Sequence, residues 1–255
     1  MQRTVIAAAQ STSDRSDIES NIRRHIILIE SAAKNKTNLI FFPELSLMGY
    51  EPGLAESRAF IENDPRLTLL IEKSAEHNMI IVAGAPVRLG TQLHIGSFII
   101  YPDRTIAIYT KHYLHRGEDK YFSPGTLSPV IKLHDETISL AICVDISNAE
   151  HPESAAKDGS SIYLVSSLIT PSGYGKDTGL LSDYAKRYNM YVVMANHGGE
   201  SGGFVSAGGS AAWANDGQIL TAFKGTGEGL VIISKENGVW KGSVIMRCPL
   251  ASFEP

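Results

Sequence analysis

The sequence has few cysteines, no long apolar run and no block of like charges. Its 255 residues include only two cysteines, Cys143 and Cys248, which excludes a disulfide framework and favours a reducing cytoplasm. No apolar segment approaches the roughly 18 residues of a membrane span, and residues 5–9 are too short for a signal-peptide core. The net charge of -4 and a pI near 6.1 argue against nucleic acid and anionic membranes as partners.

Several common catalytic and cofactor patterns are also missing. There is no G-x-S-x-G nucleophile elbow, which argues against a serine α/β-hydrolase. GTGEG and GYGKDTG match neither the dinucleotide-binding nor the phosphate-loop pattern, so we interpret both segments as turns. His112 and His115 have no carboxylate or third histidine at metal-ligand spacing, so no metal site is expected. Cys248 lies far from any motif.

The chain alternates strand-like segments with helical ones. We predict strands at TVIAAAQ, NLIFFPE, MIIVAGAPV, SIYLVSS and MYVVMAN, and over residues 92–109 and 130–143. We predict helices at about 16–36, 65–77, 149–158 and 178–188. Three further strand-like runs, GGSAAWA, QILTAFK and GLVIISK, are separated by NDG and GTGEG turns. Without repeats or linkers, this predicts a single α/β domain over residues 1–255, with a core at about 4–235 and a C-terminal tail at 236–255.

Cys143 stands where a predicted strand ends. Apolar and smaller residues alternate over residues 138–143, the period of a strand with one apolar face. A residue at the carboxyl end of a strand lies where open α/β sheets bind ligands, and a following helix N-terminus would lower the pKa of its thiol. Ser147 and Glu150 have the spacing of a capping box, which predicts that a helix begins there. The alternative interpretation of Cys143 is a small buried hydrophobic residue.

Glu44 closes a second apolar segment, LIFFPE. Pro43 should end this strand because proline has no N–H group to give to a sheet. A carboxylate beside so much apolar surface would be partly desolvated, and its pKa would rise toward that of a working base. Taken alone, Glu44 is better explained as a capping or salt-bridged glutamate.

Lys111 and Glu118 occur together in TKHYLHRGEDKYFSPG. Lys111 follows the apolar run TIAIYT, which again marks the end of a strand. Glu118 lies seven residues further on, before the turn SPG. Taken alone, the segment is typical of a polar loop with a solvated lysine and glutamate.

The order of these three segments changes the interpretation. FPE, K-x-x-L-x-x-x-E-x-x-x-F-x-x-G and IC-x-D-x-x-x-x-E occur in that order, each after a strand. Together with FPELSLMGY and GGSAAWANDGQIL, they resemble the carbon–nitrogen hydrolase family, also called the nitrilase superfamily, from VIAAAQ to about GEGLVIISK. The resemblance implies a four-layer α-β-β-α sandwich that commonly dimerises, so a homodimer or higher homo-oligomer is expected.

The resemblance also implies a role for each residue. Glu44 matches the family's general base, Lys111 its catalytic lysine and Cys143 its nucleophile. Glu118 matches a second glutamate that helps to position the substrate amide and the lysine, and the N–H of Val144 matches an oxyanion donor. The expected reaction is hydrolysis of a non-peptide C–N bond in a small linear amide, through a cysteine thioester and with release of ammonia. It needs no metal or organic cofactor.

Departures from the family pattern leave the substrate open. Ser147 and Val144 stand where many members have arginine and an aromatic residue, and Val144-Asp145 replaces the Trp-Glu of true nitrilases, which favours an amide over a nitrile. One alternative is an N-carbamoyl amino-acid amidohydrolase, which needs a basic group such as Arg116 for the substrate carboxylate. Another is a catalytically silent binding protein with the same fold. A papain-like protease is disfavoured, since neither its local signature nor a histidine partner is visible.

Overall fold

The computed structural model describes residues 3–246, so Cys248 and the last part of the predicted tail lie outside the described residues. The strands are β1 Thr4–Gln10, β2 Leu39–Phe41, β3 Ile80–Leu89, β4 Gln92–Ile100, β5 Ile106–Thr110, β6 Ile131–Leu133, β7 Glu136–Ile142, β8 Ile162–Ser167, β9 Tyr191–Asn196, β10 Glu200–Ser201, β11 Phe204–Val205, β12 Ala211–Trp213, β13 Ile219–Ala222, β14 Gly229–Glu236 and β15 Val239–Met246. The α-helices are α1 Ile18–Lys34, α2 Ala55–Arg58, α3 Thr68–His77, α4 Glu150–Lys157 and α5 Pro171–Tyr188. Short 3₁₀ helices occupy Pro52–Leu54, Pro65–Leu67, Glu118–Lys120 and Cys143–Ser147.

Two mixed sheets stack face to face between helices. The first sheet has the order β15-β14-β1-β2-β3-β4-β5 and the second β13-β12-β9-β8-β7-β6. Three apolar clusters separate the layers: one joins α1 and α3 to the first sheet, one lies between the sheets, and one joins the second sheet to α4 and α5. This arrangement confirms the expected four-layer α-β-β-α sandwich.

The alternation of side chains in β1 shows how the sequence builds these layers. Val5, Ala7 and Ala9 belong to the cluster beneath α1, whereas Ile6 and Ala8 belong to the cluster between the sheets. Successive side chains of a strand point to opposite faces, so a strand covered on both faces needs apolar residues at every position. All seven residues of β1 are buried, and the five between Thr4 and Gln10 are apolar.

Helix α5 begins earlier than the sequence suggested. GYGKDTG was predicted to be a turn, yet it lies within α5, which starts at Pro171. Pro171 suits the first position of a helix because the missing N–H has no intrahelical acceptor there. Three glycines in the first half obscure the helical pattern, but buried Leu181, Tyr184 and Ala185 pack the second half against the sheet. Tertiary packing therefore overrides the weak local propensity.

Two other expectations differ from the structure. The predicted capping box does not form: Ala149 is the N-cap of α4 and no side chain caps it, because a 3₁₀ helix occupies Cys143–Ser147 first. The core also extends beyond residue 235, since β15 pairs with β14 from Val239 to Met246. Within residues 3–246, no helix is both long and apolar enough to cross a bilayer.

Candidate active site

A tight turn after β2 places Glu44. The carbonyl of Phe42 accepts a hydrogen bond from Ser166 Oγ at 2.7 Å, and the carbonyl of Glu44 is 2.7 Å from His197 Nε2. These contacts tie the turn to the second sheet. Gly84 lets it approach β3, because a Cβ there would lie 2.5 Å from the carbonyl oxygen of Pro43. Glu44 is consequently fixed between the sheets with no exposed surface.

Lys111 joins two carboxylates at this point. Its Nζ is 2.7 Å from Glu44 Oε1 and 2.9 Å from each carboxylate oxygen of Glu118. The side chains of Lys111 and Glu44 are fully buried, and that of Glu118 is nearly so. Charges withdrawn from water in this way require close pairing, because each ion loses its hydration. Three residues that the sequence predicts in separate segments thus form one cluster.

Further contacts, which sequence analysis did not identify, hold Glu118 in the cluster. The hydroxyl of Tyr50 donates to Glu118 Oε1 at 2.7 Å, and the backbone N–H of His115 donates to Oε2 at 2.7 Å. Tyr50 ends the segment FPELSLMGY, but nothing in that pattern indicates a partner 68 residues away. Burial and the nearby Glu44 and Glu118 carboxylates raise the pKa of Tyr50, so its hydroxyl stays a donor.

Cys143 begins the 3₁₀ helix directly after β7. Its φ of 47° lies in the left-handed region, which is uncommon for a residue other than glycine and strains the backbone. The side chain is half-buried and lines the same cavity as Glu44. The N–H of Leu168 faces the sulfur and favours its charged form. Cys143 is therefore held at a strand end beside a carboxylate.

The electrostatic state of Cys143 differs from expectation. A helix N-terminus was expected to lower the pKa of the thiol, but burial and the negative charge of Glu44 raise it, while Lys111 only opposes the rise. The expectation of a lowered thiol pKa was wrong because desolvation and a neighbouring carboxylate outweigh a short 3₁₀ turn. The thiol consequently needs a base to remove its proton.

Glu44 has the properties of such a base. Burial raises the pKa of its carboxyl to about 7; the ammonium of Lys111 opposes the rise and Glu118 adds to it. Its second oxygen, Oε2, is buried and accepts no hydrogen bond from any described residue. Burial on its own would lower the pKa of Lys111, but Glu44, Cys143 and Glu118 outweigh it and raise the pKa, so the ammonium stays charged.

Asp145 connects the lysine segment with the cysteine turn, another role that the sequence did not reveal. Its Oδ1 accepts hydrogen bonds from the N–H groups of His112 and Tyr113, at 3.1 and 2.9 Å. Its Oδ2 accepts from the Tyr109 hydroxyl at 2.7 Å and from the Ile142 N–H at 2.9 Å. Three of these partners lie next to Lys111 in the sequence, within residues 109–113. The fourth, Ile142, directly precedes Cys143. Asp145 thereby sets the spacing between the two segments.

The cavity beside this cluster has a volume of about 390 Å³. It is lined by Glu44, Tyr50, His115, Cys143, Val144, Ile146, Ser147, Leu168, Ile169, Thr170, Ser172, Gly173, Lys176, Asp177 and Phe204. Val144 is the second residue of its 3₁₀ helix, where backbone N–H groups have no intrahelical acceptor. Arg116, the basic residue singled out in the sequence, is not among the lining residues, whereas Lys176 is.

One group of possible metal ligands lies elsewhere in the part of the chain described. Glu30, Glu76 and His77 place one ligand atom each within 4.8 Å of one another. Lys73 Nζ, however, lies 2.6 Å from Glu30 Oε1 and 2.8 Å from Glu76 Oε2. The ammonium already pairs with both carboxylates, so the group is explained as a surface ion-pair network.

Comparison with known proteins agrees with this geometry. The sequence pattern of the family described as carbon-nitrogen hydrolase matches residues 5–235. The chain belongs to the carbon–nitrogen hydrolase family. The resemblance noted in the sequence is thereby confirmed.

The proteins similar to this chain differ in how much of their own length it covers. A glutamine-dependent NAD(+) synthetase from Thermotoga maritima is 27% identical, over 86% of this chain and 40% of that protein. The chain therefore spans less than half the length of this relative. A probable nitrilase from Schizosaccharomyces pombe is 23% identical, over 89% of this chain and 86% of that protein. An amidase of the nitrilase superfamily from Nesterenkonia sp. AN1 is 25% identical, with a TM-score of 0.83 over 92% of this chain and 91% of that structure.

Proposed function

We propose that this carbon–nitrogen hydrolase is a cysteine-dependent amidase that hydrolyses a small linear amide through a thioester and releases ammonia. The observation that carries the proposal is the buried Glu44–Lys111–Glu118 cluster beside the cavity that Cys143 lines. Amide hydrolysis by a thiol requires a nucleophile, a proton acceptor and a fixed positive charge near the carbonyl oxygen. The cluster and the cavity supply one group of each kind.

In the first step, Glu44 accepts the thiol proton of Cys143 as the sulfur attacks the amide carbon. The free oxygen Oε2 and a pKa of about 7 suit the carboxylate to this transfer near neutral pH. The S–C bond forms and the carbonyl oxygen becomes negative. Lys111 and the N–H of Val144 stabilise this oxyanion, and removing one such donor in other enzymes costs about 3–4 kcal/mol.

In the second step, the C–N bond breaks and the thioester remains. Glu44 returns the proton to the leaving nitrogen, so ammonia departs neutral. Glu44 then takes a proton from water as the water attacks the thioester carbon. The thiolate of Cys143 leaves, regains a proton, and the carboxylic acid is released. Glu118 and Tyr50 do not exchange protons in this scheme; they hold Lys111 in place.

The similarity to the Nesterenkonia amidase supports this assignment. In one structure of that protein, which is 25% identical with a TM-score of 0.81, acrylamide has added at the active-site cysteine. A Michael addition forms its bond at the carbon–carbon double bond and leaves the amide intact, so it supports a nucleophilic cysteine in a site that accepts an amide.

Ammonia release tests the proposal directly. The protein should release ammonia from at least one member of a panel of aliphatic amides, ω-amides, carbamoyl amino acids and nitriles. The Cys143→Ala variant should release none while keeping its thermal unfolding midpoint, because the side chain is only half-buried. Acid quenching should trap an adduct on Cys143 with the mass of the substrate minus ammonia. Ammonia release by Cys143→Ala would contradict the proposal, and inertness of the parent protein would favour a silent binding protein.

An N-carbamoyl amino-acid amidohydrolase is the second candidate, since Lys176 offers the basic group that such a substrate carboxylate needs. This activity would release carbon dioxide together with ammonia. Measuring both gases on a carbamoyl amino acid separates the two candidates.

A further inference from the structure

The catalytic cavity has a second charged wall, on helix α5. Gly173, Lys176 and Asp177 all line the cavity. Residues three and four apart lie on the same face of a helix, so Gly173 shares one face with both charged residues. None of the steps proposed for amide hydrolysis uses this wall.

The carboxylate of Asp177 is half-buried and has no hydrogen-bond or ion-pair partner among residues 3–246. Burial raises its pKa, and the nearby charge of Lys176 opposes the rise. A carboxylate withdrawn from water without a bonded partner loses solvation that a cationic ligand restores. Gly173 adds no side chain beside this carboxylate, where a Cβ would lie in ordinary van der Waals contact with Asp177 Oδ2, at 3.4 Å.

Lys176 supplies the opposite charge at the rim. It is exposed, and the described residues provide no ion-pair partner for its ammonium. Adjacent residues on a helix do not face each other, so Lys176 and Asp177 do not form a closed salt bridge. The wall thus presents one cationic and one anionic group to the same cavity.

We propose that the substrate is the ω-amide of an α-amino acid, with its ammonium bound by Asp177 and its carboxylate by Lys176. This inference rests on the amidase function proposed above. A neutral aliphatic amide would leave both charges without partners. A substrate with a carboxylate alone, such as an N-carbamoyl amino acid, would bring like charge toward Asp177. The ω-amide of an amino acid satisfies both groups while its amide reaches Cys143.

Four amides that differ in their charged groups test the proposal. The carbon chain that follows the amide has the same length in all four. L-glutamine carries both charges, 4-aminobutanamide only the ammonium, glutaric acid monoamide only the carboxylate, and butyramide neither. A hydrogen bond to a charged group changes kcat/KM by about 10- to 100-fold. We expect kcat/KM for L-glutamine to exceed that for butyramide by at least this factor. We also expect kcat/KM for 4-aminobutanamide to exceed that for glutaric acid monoamide.

Two variants then assign each charge to its residue. Asp177→Asn should reduce the ratio of kcat/KM for L-glutamine to that for butyramide by about 10-fold or more, and Lys176→Gln should reduce the ratio for glutaric acid monoamide to butyramide. Asp183→Asn and Lys186→Gln, exposed positions on the same helix outside the cavity, should leave every ratio unchanged.

The outcomes separate this proposal from the one on which it rests. Turnover of butyramide without any gain for L-glutamine, or an unchanged ratio in Asp177→Asn, would overturn the substrate assignment alone. No ammonia from any of the four amides would overturn both proposals. Comparing kcat/KM for L-asparagine with that for L-glutamine shows which chain length best spans Cys143 and the charged wall.

Discussion

Lysine and carboxylate side chains lie on two sides of the cavity. They are buried and paired on one side, and more exposed and unpaired on the other. Behind the wall made by strand ends, which Glu44 and Cys143 line, Lys111 is fully buried and bound by Glu44 and Glu118. On the wall made by α5, Lys176 is exposed and Asp177 is half-buried without a bonded partner. Buried ions need partners within the protein because they have lost their hydration. Ions near water remain hydrated and can stay unpaired until a ligand binds. The first wall is suited to chemistry and the second to recognition.

The largest effect expected from this contrast concerns stability. Lys111→Met would leave two carboxylates buried without a cation, which should lower the free energy of unfolding by about 3–5 kcal/mol. The matched change Lys73→Met removes a lysine that also binds two glutamates but lies at the surface, and should cost no more than about 1 kcal/mol. Urea unfolding of both variants measures the difference. Equal losses would show that burial does not distinguish the two clusters.

A second prediction concerns the spacing within the buried wall. Asp145→Asn replaces one acceptor oxygen with an NH2 group, which would face two of the four donors that Asp145 now binds. We expect kcat to fall by about 10- to 100-fold with a smaller change in KM, because Lys111 and Cys143 would lose their fixed separation.

Asp158→Asn, an exposed position at the end of α4, is the control for Asp145→Asn and should change neither constant. An equal effect on kcat and thermal stability from both substitutions would contradict a positioning role for Asp145.

The smallest predicted effect is a shift in pH dependence. Glu44 must be ionised to accept a proton, so kcat/KM should fall as pH drops below about 7, the pKa of its carboxyl. Glu118 contributes to raising that pKa, so Glu118→Gln should move the acidic limb to lower pH. A pH profile on one amide for both proteins measures the shift. A shift of the acidic limb to higher pH in Glu118→Gln would contradict the proposed effect of Glu118 on the pKa of Glu44.

Local patterns predicted most elements of the core but failed where packing overrides propensity. The continuous apolar run of β1, the two-residue period of β7 and the apolar stripe of α1 are direct consequences of burial, which the sequence records. The first half of α5 carries glycines that hide its helix, and β15 forms because β14 offers a free edge. The wrong prediction of a turn in the first half of α5 mattered most, because this part of the helix carries Lys176 and Asp177.

The sequence also located the candidate residues without revealing their partners. Glu44, Lys111 and Cys143 each follow a strand, and strand ends are local features of the chain. The contacts of Tyr50 with Glu118 and of Asp145 with the lysine segment join positions far apart in the chain, which no local pattern encodes.

From the sequence, apolar periodicity predicted an α/β domain and the strand ends that carry the candidate residues, while the family resemblance carried by three short motifs implied the four layers. Only the tertiary structure decided which charges are paired, because desolvation depends on everything packed around a group. That dependence explains why the Cys143 thiol has a raised rather than a lowered pKa. It also explains why Lys111 is enclosed by carboxylates behind the cavity while Lys176 remains exposed at its rim.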